Sequence, residues 1–348
     1  MYQRIVFGSF LVMAALSHSS RAAAATFTAN CGTNGSSSIV QNQLTAIGST
    51  PNSTLQVTGT CVGDVVVQRA DRLTITGLVM TGFLGVSNSR GISFSSLVVN
   101  GEMDITKGSQ VSLSGLTMTP WSDSSGTHDP SLNCIGQSEC TFSGLTLTGS
   151  GTTRGSGTAG LLAASASRLT VTAATISGFD VGVQVWNNAT AFLTPMCAAV
   201  NIRSNLTTGV FVTDGGIVKI EGQTAADAAS SGCTGPFNVG ITGNGSYGVL
   251  ADGGGNAYLY LTTIQNHSID AVRVQHGSIV RVRSSTMGAA SASGRSASLA
   301  YGANLYFDEQ LNGPAASSAV AGPVCATTNS NVDTSNSATV VTITNTGC

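Results

Sequence analysis

Apolar positions between Gly160 and Met287 recur at fixed distances. From Gly160, Gly182, Gly209, Gly248 and Ala271, one and three places on lie Leu161/Ala163, Val183/Val185, Val210/Val212, Val249/Ala251 and Val272/Val274. Nine and eleven places on lie Leu169/Val171, Ala191/Leu193, Val218/Ile220, Ala257/Leu259 and Val280/Val282. Alternation with a period of two marks a strand, because successive side chains of a strand point to opposite faces. A constant separation between two alternating segments marks a coil that repeats.

The template extends towards the N-terminus. Starting at Asp64, offsets 1, 3, 9, 11 and 16 give Val65, Val67, Leu73, Ile75 and Met80. From Phe83 they give Leu84, Val86, Ile92, Phe94 and Val99, and from Glu102 they give Met103, Ile105, Val111, Leu113 and Met118. From Ser131 they give Leu132, Cys134, Cys140, Phe142 and Leu147. Offset 16 returns later as Ile176, Ile264 and Met287. The pattern predicts an all-β fold: a single-stranded parallel β-helix, a solenoid of about nine regular three-strand coils. Parallel crossovers are overwhelmingly right-handed, so a right-handed coil is expected.

The flanking sequence divides the rest. Residues 1–25, with Arg4, an apolar run from Ile5 to Leu16 and Ala23-Ala24-Ala25, read as a signal peptide cleaved near Ala25. That apolar run is short for a bilayer span, and no later segment has the length and apolarity of one. Residues 26–60 read as an N-terminal cap and first strand. In them, residues 38–44 form a short amphipathic helix and residues 54–58 the strand. A cap is required because an open solenoid end exposes apolar core and unpaired strand edges. Residues 61–288 read as the β-helix and 289–348 as an irregular C-terminal segment with a closing strand at 338–344.

Composition fits an exported solenoid. Charged residues are 9%, net charge is −2, and 43 of 348 residues are Gly. Such a balance offers no electrostatic footprint for nucleic acid or anionic membranes. All 8 Cys lie beyond Ala25, an even number that suggests disulfides in a secreted or periplasmic protein. The coil template pairs Cys31 with Cys61 across the cap, and Cys197 with Cys233 in stacked loops. It also places Cys134 opposite Cys140 inside one coil, as a bond or as two buried thiols filling the core, and Cys325 with Cys348 around the last strand.

The segment TANCGTNGSSSIVQNQL…LQVTGTCVGDVVVQRADRLTITG and the GVxV coils that follow resemble the right-handed parallel β-helix proteins of the pectin-lyase-like superfold, over roughly residues 27–287. The resemblance implies the fold. It leaves function open, because that superfold carries lyases, hydrolases, esterases, epimerases and noncatalytic adhesins. The WxDH-type segment of pectate lyases and the NTD, DD and GHG segments of polygalacturonases are missing. Zinc, P-loop and GxSxG spacings are missing too, and no metal site is indicated.

Candidate chemistry sits on outward positions. At offsets 10 and 12 the early coils read Thr74/Thr76, Ser93/Ser95, Ser112/Ser114, Thr141/Ser143 and Thr170/Thr172. This hydroxyl ladder is explained by cross-strand Ser/Thr pairing. A flat ice-binding face is a further alternative, although Ser in three coils breaks its array. Later coils read Phe192/Thr194, Lys219/Glu221, Tyr258/Tyr260 and Arg281/Arg283, with Arg273 and Trp186 expected on the first strand or beside it. Aromatics beside cations suit sugar stacking and carboxylate binding. Covering of the coil surface is the structural alternative. A second candidate is a rim of two insertions carrying Trp121, Asp123, His128, Asp129 and Arg154.

These observations predict an exported β-helix presenting a polysaccharide-binding surface. The alternative is a polysaccharide lyase or glycoside hydrolase. A lyase would need a base such as Lys219, Arg281 or His276, and a cation, Arg or Ca2+, to neutralise the uronate. Otherwise no cofactor is expected.

Overall fold

The computed structural model describes residues 24–123, 126–152, 158–308, 318–327, 329–334 and 341–344. They form a right-handed parallel β-helix whose strands stack in three ladders, one for each strand of the coil. In the first ladder Leu161 pairs with Val183, Val183 with Val210, Val210 with Val249 and Val249 with Val272. All five are fully buried. The second ladder stacks the strands Arg168–Val171, Thr190–Leu193, Ile217–Glu221, Asn256–Tyr260 and Ile279–Arg283. In the third, Met118, Leu147, Ile176, Ile202, Ile241, Ile264 and Met287 follow one another. The offsets legible in the sequence are therefore the inward columns of three sheets around one core.

The N-terminal helix Ser38–Ile47 runs one turn further than the sequence indicates. It buries Val40, Leu44 and Ile47 on one face. Its Gln41 side chain accepts from the Val66 N–H at 2.9 Å and donates to the Val66 carbonyl at 3.2 Å. One amide thus replaces the missing neighbour of the first-ladder edge strand Val65–Gln68. The first strand is not residues 54–58. Thr26–Asn30 precedes it and pairs with Thr54–Thr58 in the second ladder. The solenoid therefore begins inside the segment read as a cap.

The expected end of the coils near residue 288 is also corrected. Ala297–Leu299, Asn304–Phe307, Ala319–Val320 and Val324–Ala326 carry the three ladders onward. The template itself continues: from Ser296, offsets 1, 3, 9 and 11 give Ala297, Leu299, Leu305 and Phe307, all buried, with Ala297 at the inward place that Val272 holds one coil before. The connection from Phe307 to Ala319 then breaks the offset of the third strand. Ile343–Thr344 pairs with residues 324–325. Residues 338–340, and the signal peptide up to residue 23, lie outside the described residues.

Cys31 is bonded to Cys61, Cys134 to Cys140 and Cys197 to Cys233, with Cα–Cα separations of 5.2, 6.3 and 5.3 Å. The first ties the N-terminal segment to the strand Thr60–Val62. The second lies wholly in the core, both cysteines being fully buried. The third joins stacked loops of consecutive coils, the longer of which carries the short helix Ala225–Ser230. Cys348 lies outside the described residues, so the expected Cys325–Cys348 bond is not described.

Two corner columns explain polar residues inside this apolar coil. Between the third and first ladders, the Phe179 N–H donates to Asn205 Oδ1 at 3.2 Å, and the Asn205 N–H donates to Asn244 Oδ1 at 3.0 Å. The Asn244 N–H in turn donates to His267 Nδ1 at 3.2 Å. His267 Nε2 therefore carries the proton and donates to the Ile241 carbonyl at 3.0 Å. His267 is 1% exposed, and burial lowers its pKa. Between the first and second ladders, five successive coils turn through a left-handed residue: Asn187, Asp214, Gly253, His276 and Tyr301, with φ from 48° to 56°.

Candidate functional site

The later half of the second sheet carries an outward ribbon. In a parallel ladder, side chains at matching positions stand one strand spacing apart, about 4.8 Å. Thr170 is followed by Phe192, Lys219, Tyr258, Arg281 and Tyr306 in unbroken register. Beside this column run Glu221, Tyr260 and Arg283. Asp308 continues it, its N–H donating to the Val282 carbonyl.

Each cation lies against aromatic rings. Arg168 sits over Phe192 at 4.8 Å, and Lys219 lies 5.8 Å from the centroids of both Phe192 and Tyr258. Arg281 lies 6.0 Å from Tyr258 and 5.2 Å from Tyr306, while Arg283 lies 5.1 Å from Tyr260. These distances fall within the reach of the ring quadrupole. The rings and cations form one interleaved stack. Phe192 and Tyr258 each have cations on two sides, which leaves little ring face for a sugar. The exposed groups are ring edges, tyrosine hydroxyls and charged N–H donors. Arg281 also donates to Asp308 at 3.2 Å through Nη1. A carboxylate therefore reaches this guanidinium while it stays stacked.

Arg273 and Trp186, expected on the first strand or beside it, lie off this ribbon. Arg273 is on the first sheet, donating to Gln275 Oε1 at 3.3 Å and to Ser298 Oγ at 2.8 Å. Trp186 is at the corner after the strand Val181–Val185 and is 40% exposed.

That corner holds an arrangement the sequence did not reveal. Asp252 Oδ1 meets His276 Nδ1 at 2.6 Å. Asp252 also accepts from Gln275 Nε2 at 3.0 Å and from the Gly253 N–H at 2.7 Å. Partial burial would raise its pKa, but the hydrogen bonds from His276, Gln275 and Gly253 outweigh that and lower it. The His276 ring stacks on Tyr301 with centroids 4.6 Å apart and planes 3° from parallel. The motif spans three coils through a turn conformation, so no linear spacing announces it. Deeper in the same coils, Arg295 Nε donates to buried Asp270 at 3.0 Å, and Ser298 Oγ donates to Asp270 at 2.6 Å.

The insertion rim is a two-stranded hairpin, Trp121–Asp123 with Gly126–His128. Trp121 stacks on His128 across it at 4.5 Å. Asp129 Oδ1 accepts from the Ser150 N–H, joining the two insertions. Arg154 and the side chain of Asp123 lie outside the described residues. In the early coils, Ser93 and Ser112 hydroxyls bond to each other at 3.0 Å, as cross-strand pairing requires. Among the described residues, no three His, Cys, Asp or Glu side chains are grouped to hold a metal ion. No helix among them is long and apolar enough to cross a membrane.

No family model matches the sequence, and no curated protein matches it. Among solved structures, the A-module of the mannuronan C-5 epimerase AlgE6 from Azotobacter vinelandii is 12% identical with a TM-score of 0.44, over 87% of this chain and 96% of that one. The AlgE4 A-module from the same organism is 10% identical with a TM-score of 0.41, over 91% and 95%. A mutant of the periplasmic alginate epimerase AlgG is 12% identical with a TM-score of 0.42, over 84% and 76%.

Proposed function

We propose that this protein is an exported β-helix that binds polysaccharide along the outward ribbon of its second sheet. The observation that supports this reading is the stacked column from Phe192 to Tyr306, which sets cations and tyrosines at regular intervals along a rigid surface. Rigid elements present binding groups at little entropic cost. Three disulfides among the described residues accord with a secreted or periplasmic location. The ribbon binds through hydrogen bonds and charge more than through ring stacking, because the cations already occupy the ring faces.

A glycan-array screen with the mature chain tests this. Arg281→Ala is expected to weaken binding by about 1.5–3 kcal/mol, the weight of a hydrogen bond to a charged group. Tyr258→Ala is expected to weaken it less, and circular dichroism should show the fold intact for both. Binding unchanged in both variants would move the site off this ribbon.

The His276–Asp252 pair favours a second reading, a polysaccharide lyase. A carboxylate on Nδ1 orients the ring and leaves Nε2 to accept a proton. Lys219 and Arg281, the other bases considered, are engaged with aromatic rings. Under this reading, polyuronate incubated with the protein yields unsaturated uronate ends by ultraviolet absorbance, and His276→Ala abolishes them. Absence of any such product from a panel of polyuronates excludes the lyase.

A further inference from the structure

Cations and aromatics on the ribbon alternate coil by coil. Arg168 belongs to the strand Arg168–Val171, Lys219 to Ile217–Glu221, and Arg281 and Arg283 to Ile279–Arg283. The intervening strands Thr190–Leu193 and Asn256–Tyr260 carry Phe192, Tyr258 and Tyr260, and Asn304–Phe307 adds Tyr306. Cation-bearing strands therefore recur every second coil over five successive strands, roughly every 9.6 Å along the axis given a strand spacing of about 4.8 Å, with Arg168 set two residues before the column position held by Thr170, and with Glu221 beside Lys219. Neither Lys219 nor Arg283 has an ion-pair partner among the described residues. Arg281 has one, Asp308, at the C-terminal end of the ribbon.

We infer that the ribbon is a charge ruler for a linear glycan that presents one carboxylate on the same side at every second sugar. This rests on the polysaccharide-binding reading and names the class of glycan. In an extended chain of diequatorially linked pyranoses, successive rings are turned over, so one side repeats with the disaccharide. The length of that disaccharide matches two coils. The chain lies along the solenoid axis, its carboxylates at Arg168, Lys219 and Arg281/Arg283. The sugars between them meet Phe192, Tyr258 and Tyr260, where ring edges and hydroxyls face outward without charge. Asp308 occupies Arg281 Nη1 in the way a glycan carboxylate would, and so competes with it. Two sources supply this chemistry: a copolymer alternating uronate with neutral sugar, or a uronate homopolymer with a two-fold twist.

Isothermal titration of the mature chain tests the inference with hyaluronan hexasaccharide, hexamannuronate, carboxyl-reduced hexamannuronate and cellohexaose. The alternating hexasaccharide should bind, whereas both neutral oligomers should bind at least tenfold more weakly. Hexamannuronate binding as well as hyaluronan identifies the two-fold homopolymer as a source, and hyaluronan binding alone identifies the copolymer. Lys219→Gln and Arg281→Gln should each reduce affinity about tenfold, as loss of a charge-assisted contact does. Asp308→Asn should raise it, an effect that damage to the fold would not mimic. Neutral oligomers bound as tightly as charged ones, with the Tyr258→Ala loss retained, would overturn the ruler and leave glycan binding standing. No binding of any oligomer would overturn both.

Discussion

Gly209→Ala is expected to destabilise the chain by about 1–3 kcal/mol, the usual cost of forcing extra volume into a packed core. An added Cβ would stand 2.7 Å from Asn244 Nδ2, from the Gly248 carbonyl and from Ile241 Cγ2. Two of these are a backbone oxygen and a buried side chain with no room to retreat. The third belongs to the corner ladder, so the clash also pulls on the bond that Asn205 makes to Asn244. Gly182 faces the same arrangement with Asn205 and Ile202. The glycine opening each GVxV coil is therefore there for space, since the next coil's ladder side chain fills the volume of its absent Cβ. Gly240→Ala is the control, its Cβ meeting only the tip of Asn201 at 3.2 Å. Denaturant midpoints of the two variants measure the difference. Equal midpoints would show that the corner accommodates a methyl group.

The second expected result concerns pH. His267 is held neutral, with a folded pKa below that of an exposed histidine. Between the folded and unfolded values the unfolded chain binds the extra proton, so stability rises with pH there. The contribution is complete above the unfolded value, about 6.5, and is lost as pH falls below it towards the folded value. His267→Asn should remove this dependence with little loss at neutral pH. Asn244 already performs the same two tasks one coil earlier, accepting through its side chain and donating to the Ile202 carbonyl at 3.4 Å. His267→Leu should be costly at every pH. It leaves the Asn244 N–H without its acceptor, at about 1–3 kcal/mol, and takes the imidazole donor from the Ile241 carbonyl. Thermal unfolding of the three proteins between pH 5 and 8, about the range in which histidine titrates, separates these outcomes. A wild-type curve as flat as that of His267→Asn would contradict the neutral ladder role.

The sequence by itself determined the solenoid. An inward column needs apolar residues at constant offsets, and that demand is written into every coil from Val65 to Met287. Its outward strand positions were equally legible, since period two assigns Tyr258 and Arg281 to the face opposite Ala257 and Val280. The corner ladder had a linear trace as well, Ile-x-x-Asn at Ile202 and Ile241 and Ile-x-x-His at Ile264, whose meaning appears only once the coils are stacked. Tertiary structure alone decided the rest. The stack brought Arg168, which lies outside the outward offsets, against Phe192. The turn geometry brought Asp252, His276 and Tyr301 together. Beyond Phe307 the third ladder resumed at Ala319–Val320, outside the fixed offset. Strand alternation is a local property of the backbone, whereas which side chains meet across coils depends on the length of every turn between them.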